Sequence, residues 1–331
     1  MYRIAIHPDR VRVLDGSIQS FSDRWTELLE REGHEVRPVH WRTPGLIDTL
    51  RECDGFLTWF PPLPNPREYM KRLVLTLEQA LPDLLVFPSW KSAWHFDDKI
   101  AQTILLEAAG LPMPRTHVFW HIDDARAFVA SAQFPLVLKL ASGFRSRNVA
   151  LLRNAREAEL WLRRFFAYGV SDLKLSPLRA LRSKLRPSTQ PSQLTFQKGV
   201  ILLQEFVPDN AFDTRVVVIG HRAVALRRPN RPNDFRASGS GVMDPDPRKI
   251  DVDAVELAMR ASRALDMPSI AVDVLRRDGK PVLTEVSYYF EGSSVLKCPG
   301  HWVERDGGIA WVEERIRAED ALLEMFLARL P

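Results

Sequence analysis

The chain reads as an α/β protein, with an N-terminal open α/β domain followed by two α+β subdomains. Three observations predict this. Strand-like and helix-like patterns alternate through residues 1–95, which implies a parallel sheet. From residue 134 onward, hydrophobic strands come in pairs joined by short polar turns, as in antiparallel hairpins. At 331 residues, 45% hydrophobic and 27% charged, the chain can form two or three domains and has the make-up of a soluble globular enzyme.

Residues 1–95 carry the first domain. Tyr2 to Ile6 is a strand. Phe21 to Glu32 fits an amphipathic helix with Phe21, Trp25, Leu28 and Leu29 on one face, and Gly33 stops it. Glu35 to Val39, Gly55 to Trp59 and Leu84 to Phe87 are further strands. Leu46 to Arg51 and Glu68 to Leu81 are the helices between them. Pro61-Pro62-Leu63-Pro64-Asn65-Pro66 reads as a rigid connection. No GxGxxG follows the first strand, so nothing supports a dinucleotide-binding domain.

Residues 96–200 make the second unit. Asp97 or Asp98 caps a helix that opens at Lys99 and puts Ile100, Ile104, Leu105 and Ala108 on a shared face. The helix closes at Gly110, and Leu111 to Thr116 is an extended link. Ile122 to Ala132 is another helix. Phe134 to Leu140 is a strand with Lys139 near its end, Ala141 to Asn148 is a polar loop of small residues, and Val149 to Leu152 returns. A hairpin of this kind can fold over phosphates. A helix follows over Ala155 to Phe166. Residues 168–199 differ in composition: Lys174, Arg179, Arg182, Lys184, Arg186 and Lys198 occur with no acid after Asp172, which marks a basic insertion.

Residues 201–331 make the third unit. Leu203-Gln204-Glu205-Phe206 is the end of a buried strand. Asp213 to Ile219 is a strand, Gly220-His221 a turn and Ala223 to Leu226 its return, running into Arg227-Arg228 and the loop that carries Arg236. Val252 to Leu265 is a helix. Ile270 to Leu275 and Pro281 to Val286 pair about the turn Arg277-Asp278-Gly279-Lys280. Ala310 to Leu330 reads as one or two terminal helices.

The charged residues that interrupt these strands carry the chemistry. Lys139 sits among apolar neighbours, where an exposed strand-end charge is not expected. Asp273 and Glu285 each break an apolar strand of one hairpin. Two carboxylates in a buried hairpin repel unless a cation lies between them, and Mg²⁺ prefers such oxygens. In a two-stranded ribbon Arg227 and Arg228 point opposite ways, so one of them faces the cleft; Arg228 is the choice.

The order of these signals resembles the ATP-grasp superfamily. The resemblance covers about residues 90–290 and rests on Asp98-Lys99, Lys139 before a small-residue loop, Gln204-Glu205-Phe206, Asp213-Thr214-Arg215, the arginines 227, 228 and 236, and the Asp273–Glu285 hairpin. It is closest to ribosomal-protein-glutamate-ligase-like and D-alanine–D-alanine-ligase-like members. It implies that the two α+β subdomains clamp ATP, with Mg²⁺ (or Mn²⁺) as cofactor. Lys99, Lys139 and the loop at Gly143 would hold the phosphates. Gln204, Glu205, Phe206 and Val207 would hold the adenine, read by the backbone of Glu205 and Val207, and Asp213 would accept from the ribose. Asp273 and Glu285 would ligate metal. Arg215, Arg228 and Arg236 would hold the acceptor carboxylate and the developing acyl phosphate, a task suited to the guanidinium fork.

The chain departs from that pattern in two places. Ser287 stands at the third metal position, where the family usually has asparagine. The phosphate loop has only Gly143 where the family often has more glycines, and Arg145 and Arg147 would add charge to it.

The expected function is an ATP-dependent carboxylate–amine ligase. Its substrates would be a small carboxylate and an amine, with the basic insertion suited to an anionic acceptor such as a sugar nucleotide, a uronic-acid-bearing glycan precursor or an acidic peptide. The alternatives are a small-molecule kinase using the same ATP site and a non-catalytic nucleotide- or RNA-binding module using the basic segment. Nucleic acid is the less expected partner, because the net charge of +4 is small against 46 basic and 42 acidic residues. Cys298-Pro299-Gly300-His301-Trp302 reads as a structured loop near the substrate, since no further group supports a hydrolase. Two cysteines make neither a disulfide framework nor a zinc cluster, and no apolar run is long enough to span a bilayer. With no apolar leader at the N-terminus, the cytoplasm is the expected location. The family resemblance implies a homodimer.

Overall fold

The computed structural model describes residues 1–12, 18–143, 148–171, 173, 195–237, 241–305 and 307–331. Arg145, Arg147 and most of the basic insertion lie outside these residues.

The first unit is built on β1 (Arg3–Ile6), followed by a short hairpin of β2 (Val11–Arg12) and β3 (Ile18–Gln19), then β4 (Glu35–Pro38), β5 (Gly55–Leu57) and β6 (Leu85–Phe87). Strands β4-β1-β5-β6 form one parallel sheet. Helix α1 (Phe21–Arg31) buries Phe21, Trp25, Leu28 and Leu29, and the Ser20 side chain caps it by accepting from the Asp23 N–H. Helix α2 (Leu46–Arg51) matches its expected span. Helix α3 (Pro64–Ala80) starts four residues earlier than the apolar periodicity predicts, inside the proline stretch. Proline has its φ preset for the first turn, where its missing N–H costs nothing.

Two short helices, α4 (Trp90–Ala93) and α5 (Lys99–Ala108), lead out of this unit. Asp98 is the cap of α5, accepting from the N–H groups of Ile100 and Ala101. The buried face of α5 differs from the one expected. Lys99, Ala101, Gln102, Thr103 and Leu106 are inside, while Ile104 is 61% exposed. The helix therefore turns a largely polar face inward, toward the cleft described below.

The second unit is a four-stranded antiparallel sheet, β7 (Thr116–Phe119), β8 (Leu136–Lys139), β9 (Val149–Leu152) and β10 (Ile201–Glu205), in the order β7-β10-β8-β9. Helices α6 (Ile122–Ser131) and α7 (Ala155–Arg163) cover it. Strand β7 begins at Thr116, where the expected extended link ends, and was not itself anticipated. Strand β10, which the sequence groups with the segment after it, pairs with β7 and β8 instead, so this sheet extends to residue 205.

The third unit is a six-stranded antiparallel sheet: β11 (Phe212–Ile219), β12 (Arg222–Pro229), β13 (Ser269–Arg277), β14 (Lys280–Ser287), β15 (His301–Arg305) and β16 (Gly308–Val312), ordered β14-β13-β11-β12-β15-β16. Its helices are α8 (Val252–Ala264), α9 (Gly292–Leu296) and α10 (Ala318–Leu327). Ala310 to Val312, expected to open a terminal helix, belong to strand β16, because their pairing with β15 outweighs any helical preference.

Hydrophobic burial divides this architecture into two cores. The first and third units share one, in which Trp59 packs against Tyr288, Tyr289 and Phe290. The four-stranded sheet has its own, centred on Leu138, Leu162, Phe165 and Leu203.

Candidate active site

A cavity of about 940 Å³, part of it open to solvent, lies between the four-stranded and six-stranded sheets. Its walls come from both. Val137 and Lys139 of β8 and the run Gln204-Glu205-Phe206-Val207 form one side. Asp273 and Leu275 of β13 with Thr284 and Glu285 of β14 form the other, and Lys99, Gly143, Asp213 and Arg236 complete it.

Two lysines converge here from different elements. Lys99 opens α5 and is buried. Its Nζ donates to the Gly143 carbonyl at 2.9 Å and lies 3.7 Å from Asp97 and 3.8 Å from Glu285. Burial opposes its charge, but the Glu285 and Asp97 carboxylates outweigh that and raise its pKa. Lys139, at the end of β8, has no hydrogen bond or ion pair among the described residues. Burial pushes its ammonium down to about 8 against the pull of Glu285, and the Lys99 charge acts in the same direction as burial. Both ammonium groups thus face a space where an anion would relieve them.

Gly143 holds its loop in a form no other residue could take. Its φ is +136°, and a Cβ there would lie 2.1 Å from the Asn148 side chain. Its N–H donates to Asp97 at 2.7 Å. Asp97 in turn is ion-paired with Arg67 of α3, and both are buried.

On the opposite wall, four charges form a closed network. Asp213 is gripped by Arg228 at 2.7 and 2.5 Å. Asp273 accepts from Arg215 at 2.7 and 2.9 Å and lies 2.8 Å from Arg228. Register explains the assembly: Asp213 pairs with Arg228 and Arg215 with Asp273 across neighbouring strands. Burial alone would raise both carboxyls. The two arginines hold Asp273 well below its ordinary range despite that, whereas burial prevails at Asp213 and pushes it up. Arg227 points the other way, with its guanidinium 4.0 Å from the Phe212 ring centre and 3.3 Å from Asp251.

The residues expected to ligate metal divide. Asp273 and Glu285 are register partners on β13 and β14, and both line the cavity beside the two lysines. Two hard carboxylates suit Mg²⁺, which takes its remaining ligands from water and substrate phosphates, but both Asp273 oxygens already accept from arginines, so a metal there would use their remaining lone pairs. No group of three His, Cys, Asp or Glu residues able to hold a metal occurs among the described residues. Ser287 does not fit. Its hydroxyl is closed into its own turn, accepting from the Tyr289 N–H and donating to the Tyr289 carbonyl, both at 3.0 Å, and it does not line the cavity.

Other expected contacts shift as well. Asp213 reaches the cavity, and both its oxygens also accept from Arg228. Asp209, on the cavity rim, has no such partner among the described residues and was not anticipated. Arg215 and Arg228 stand behind Asp273 and do not line the cavity. Arg236 does line it, paired with Asp234 at 2.5 Å and donating to the Val149 carbonyl of β9 at 3.1 Å. The Glu205 N–H is taken by the Arg115 carbonyl, and its carboxylate meets Arg277 of β13 at 2.7 Å. Gln204 lines the cavity and donates to Thr116 Oγ1 at 2.8 Å. Phe206 and Val207 both line it, and the Val207 N–H has no partner among the described residues. Asp97 and Arg67 support the loop yet carry no sequence signal beyond the acid before Lys99. Cys298 is buried, with its thiol pushed up to about 12 by desolvation, and is inert.

Residues 186–295 match the family model of the RimK-like ATP-grasp domain. The chain is 26% identical over 289 residues to the "Probable alpha-L-glutamate ligase 1" of Hahella chejuensis, spanning 80% of this chain and 82% of that one. Among solved structures it resembles the RimK domain protein ATP-grasp of Sphaerobacter thermophilus, with a TM-score of 0.53 at 20% identity over 88% of this chain and 93% of that one. It also resembles the ATP complex of D-alanine–D-alanine ligase from Bacillus anthracis, with a TM-score of 0.57 at 14% identity over 99% and 97%. The fold described above and these likenesses agree: residues 186–295 match a RimK-like ATP-grasp domain, and the chain as a whole has the fold of the ATP-grasp structures it resembles.

Proposed function

We propose that this protein uses ATP and Mg²⁺ to join a small carboxylate to an amine through an acyl phosphate. The observation that carries the reading is the convergence of Lys99, Lys139, Asp273 and Glu285, two cations and two carboxylates, on one cavity, with Lys139 lacking any fixed side-chain partner among the described residues. Lys99 and Lys139 would neutralise the phosphates, Lys99 also fixing the loop through Gly143. Asp273 and Glu285 would hold the metal, whose contribution is to draw charge from the transferring phosphoryl group. Val207 would offer its N–H to the adenine, and Asp209 is placed to accept from the ribose.

In the first step a carboxylate oxygen attacks the γ-phosphorus and the bond to ADP breaks. In the second the amine attacks the acyl carbon, inorganic phosphate leaves and the nitrogen loses a proton. No protein nucleophile takes part, so catalysis is positioning and charge stabilisation. Arg236 is nearest the cavity and is assigned to the acceptor side. Arg215 and Arg228 would act through Asp273, as positioning residues. The names of the curated relatives make L-glutamate the first amino acid to try as substrate.

Turnover of ATP against a panel of amino acids and carboxylates, with hydroxylamine present, tests this. A hydroxamate product together with ADP is expected, and its loss in Lys139→Ala and Glu285→Ala. A phosphorylated alcohol would mean kinase chemistry instead, and full activity in either variant would remove the site assignment.

A further inference from the structure

A second cavity, with about 850 Å³ of empty space, lies on the other side of the contact between Asp97 and Gly143. Arg67, Lys71 and Arg72 of α3, Trp90 and Trp94 at α4, and the loop start Ala141–Ser142 line it. It opens away from the ATP site, and nothing in the ligase reading uses it.

We propose that this cavity is a binding site for a small oxyanion, a carboxylate or a phosphate, seated on Lys71. Lys71 is 8% exposed, and its ammonium makes no hydrogen bond among the described residues. The nearest carboxylate oxygen, on Glu68, is 4.0 Å away and already accepts from Arg67 Nε at 3.0 Å. The other acids on the walls are equally committed. Asp98 caps α5, and Asp97 is shared among Arg67, Lys99 and the Gly143 N–H. A largely buried ammonium with three donors and only a 4.0 Å ion pair to Glu68 is poorly satisfied, and burial lowers the Lys71 pKa against the pull of Glu68. The indole N–H groups of Trp90 and Trp94 also lack an acceptor among the described residues, and Arg72 is near enough to line the same space. A ligand oxyanion would accept from all three kinds of donor, with the indole rings walling its apolar part.

The test uses the full chain with Mg²⁺ and a saturating non-hydrolysable ATP analogue, so that the phosphate contacts of the first cavity are filled. Inorganic phosphate and succinate are titrated separately by calorimetry. Saturable binding of roughly millimolar affinity is expected for at least one, phosphate alone marking a phosphate site and succinate alone a carboxylate site. Lys71→Gln should weaken it by about tenfold or more, because a charge-assisted hydrogen bond is lost. Its unliganded melting temperature should equal or exceed that of the wild type, since an unpartnered buried charge is removed. Trp94→Phe, which keeps the ring but not the N–H, should weaken binding less and serves if Lys71→Gln does not fold. Wild-type affinity in both variants, or no binding of either anion to the wild type, overturns the proposal.

Discussion

Lys139 and Arg228 belong to opposite walls of one cleft and live under opposite conditions. Lys139 has burial and a neighbouring cation against it and no fixed partner, so its pKa falls toward neutrality. Burial opposes the Arg228 charge too, but two carboxylates more than offset it and raise its pKa. A satisfied charge of this kind contributes to architecture. An unsatisfied one is held ready for a ligand, and folding stability is the cost of that readiness.

The contrast can be broken most forcefully at Arg228. Arg228→Leu leaves Asp213 and Asp273 buried without their shared cation and is expected to destabilise the protein by about 3–5 kcal/mol, seen as a lower denaturant midpoint. Wild-type stability in that variant would show that the network is not structural. Lys139→Met should do the reverse: stability unchanged or improved, and ATP binding weakened by about 10- to 100-fold in a direct titration. Equal ATP affinity would mean that Lys139 is spent on something else.

The same lysine should make nucleotide affinity depend on pH. The charged form binds phosphate, and it is lost as pH rises through about 8. The Kd for ATP is therefore expected to climb above pH 8, by at most about tenfold per unit. Lys139→Arg, charged throughout, should flatten the curve. A flat wild-type profile would contradict the lowered pKa. The smallest effect belongs to Ser287. Ser287→Ala removes hydrogen bonds within one turn, costing about 0.5–1.5 kcal/mol of stability, and should leave the Mg²⁺ dependence of turnover unchanged. A sharply raised Mg²⁺ requirement would return Ser287 to the metal set.

Where sequence reasoning succeeded, the signal was local. A charge interrupting an apolar strand located Lys139, Asp273 and Glu285 on the cavity wall, whereas Arg228, chosen by ribbon alternation to face the cleft, is turned inward onto Asp213 and Asp273 and does not line the cavity. Where it failed, the deciding contacts were distant in sequence. Helix α5 was assigned its apolar face, but Gln102 turns inward to donate to the His95 carbonyl and Lys99 to reach Gly143. The tie of Asp213 to Arg228, 15 residues on, was not anticipated because it exists only once β11 and β12 pair. Ser287 looked like a metal ligand because position alone cannot show that its hydroxyl closes on Tyr289. Strand β10 was grouped with its sequence neighbours because its pairing partners, β7 and β8, lie far upstream.

The two separate cores have a consequence for how the protein opens. The two walls of the cavity rest on different hydrophobic cores: one is centred on Leu138, Leu162 and Leu203, the other unites both ends of the chain around Trp59 and Phe326. Amide exchange within β7–β10 can thus proceed by an excursion that leaves the larger unit intact. Because Lys139 rides on the smaller unit and Glu285 on the larger, a nucleotide held by both would slow exchange in the smaller unit selectively.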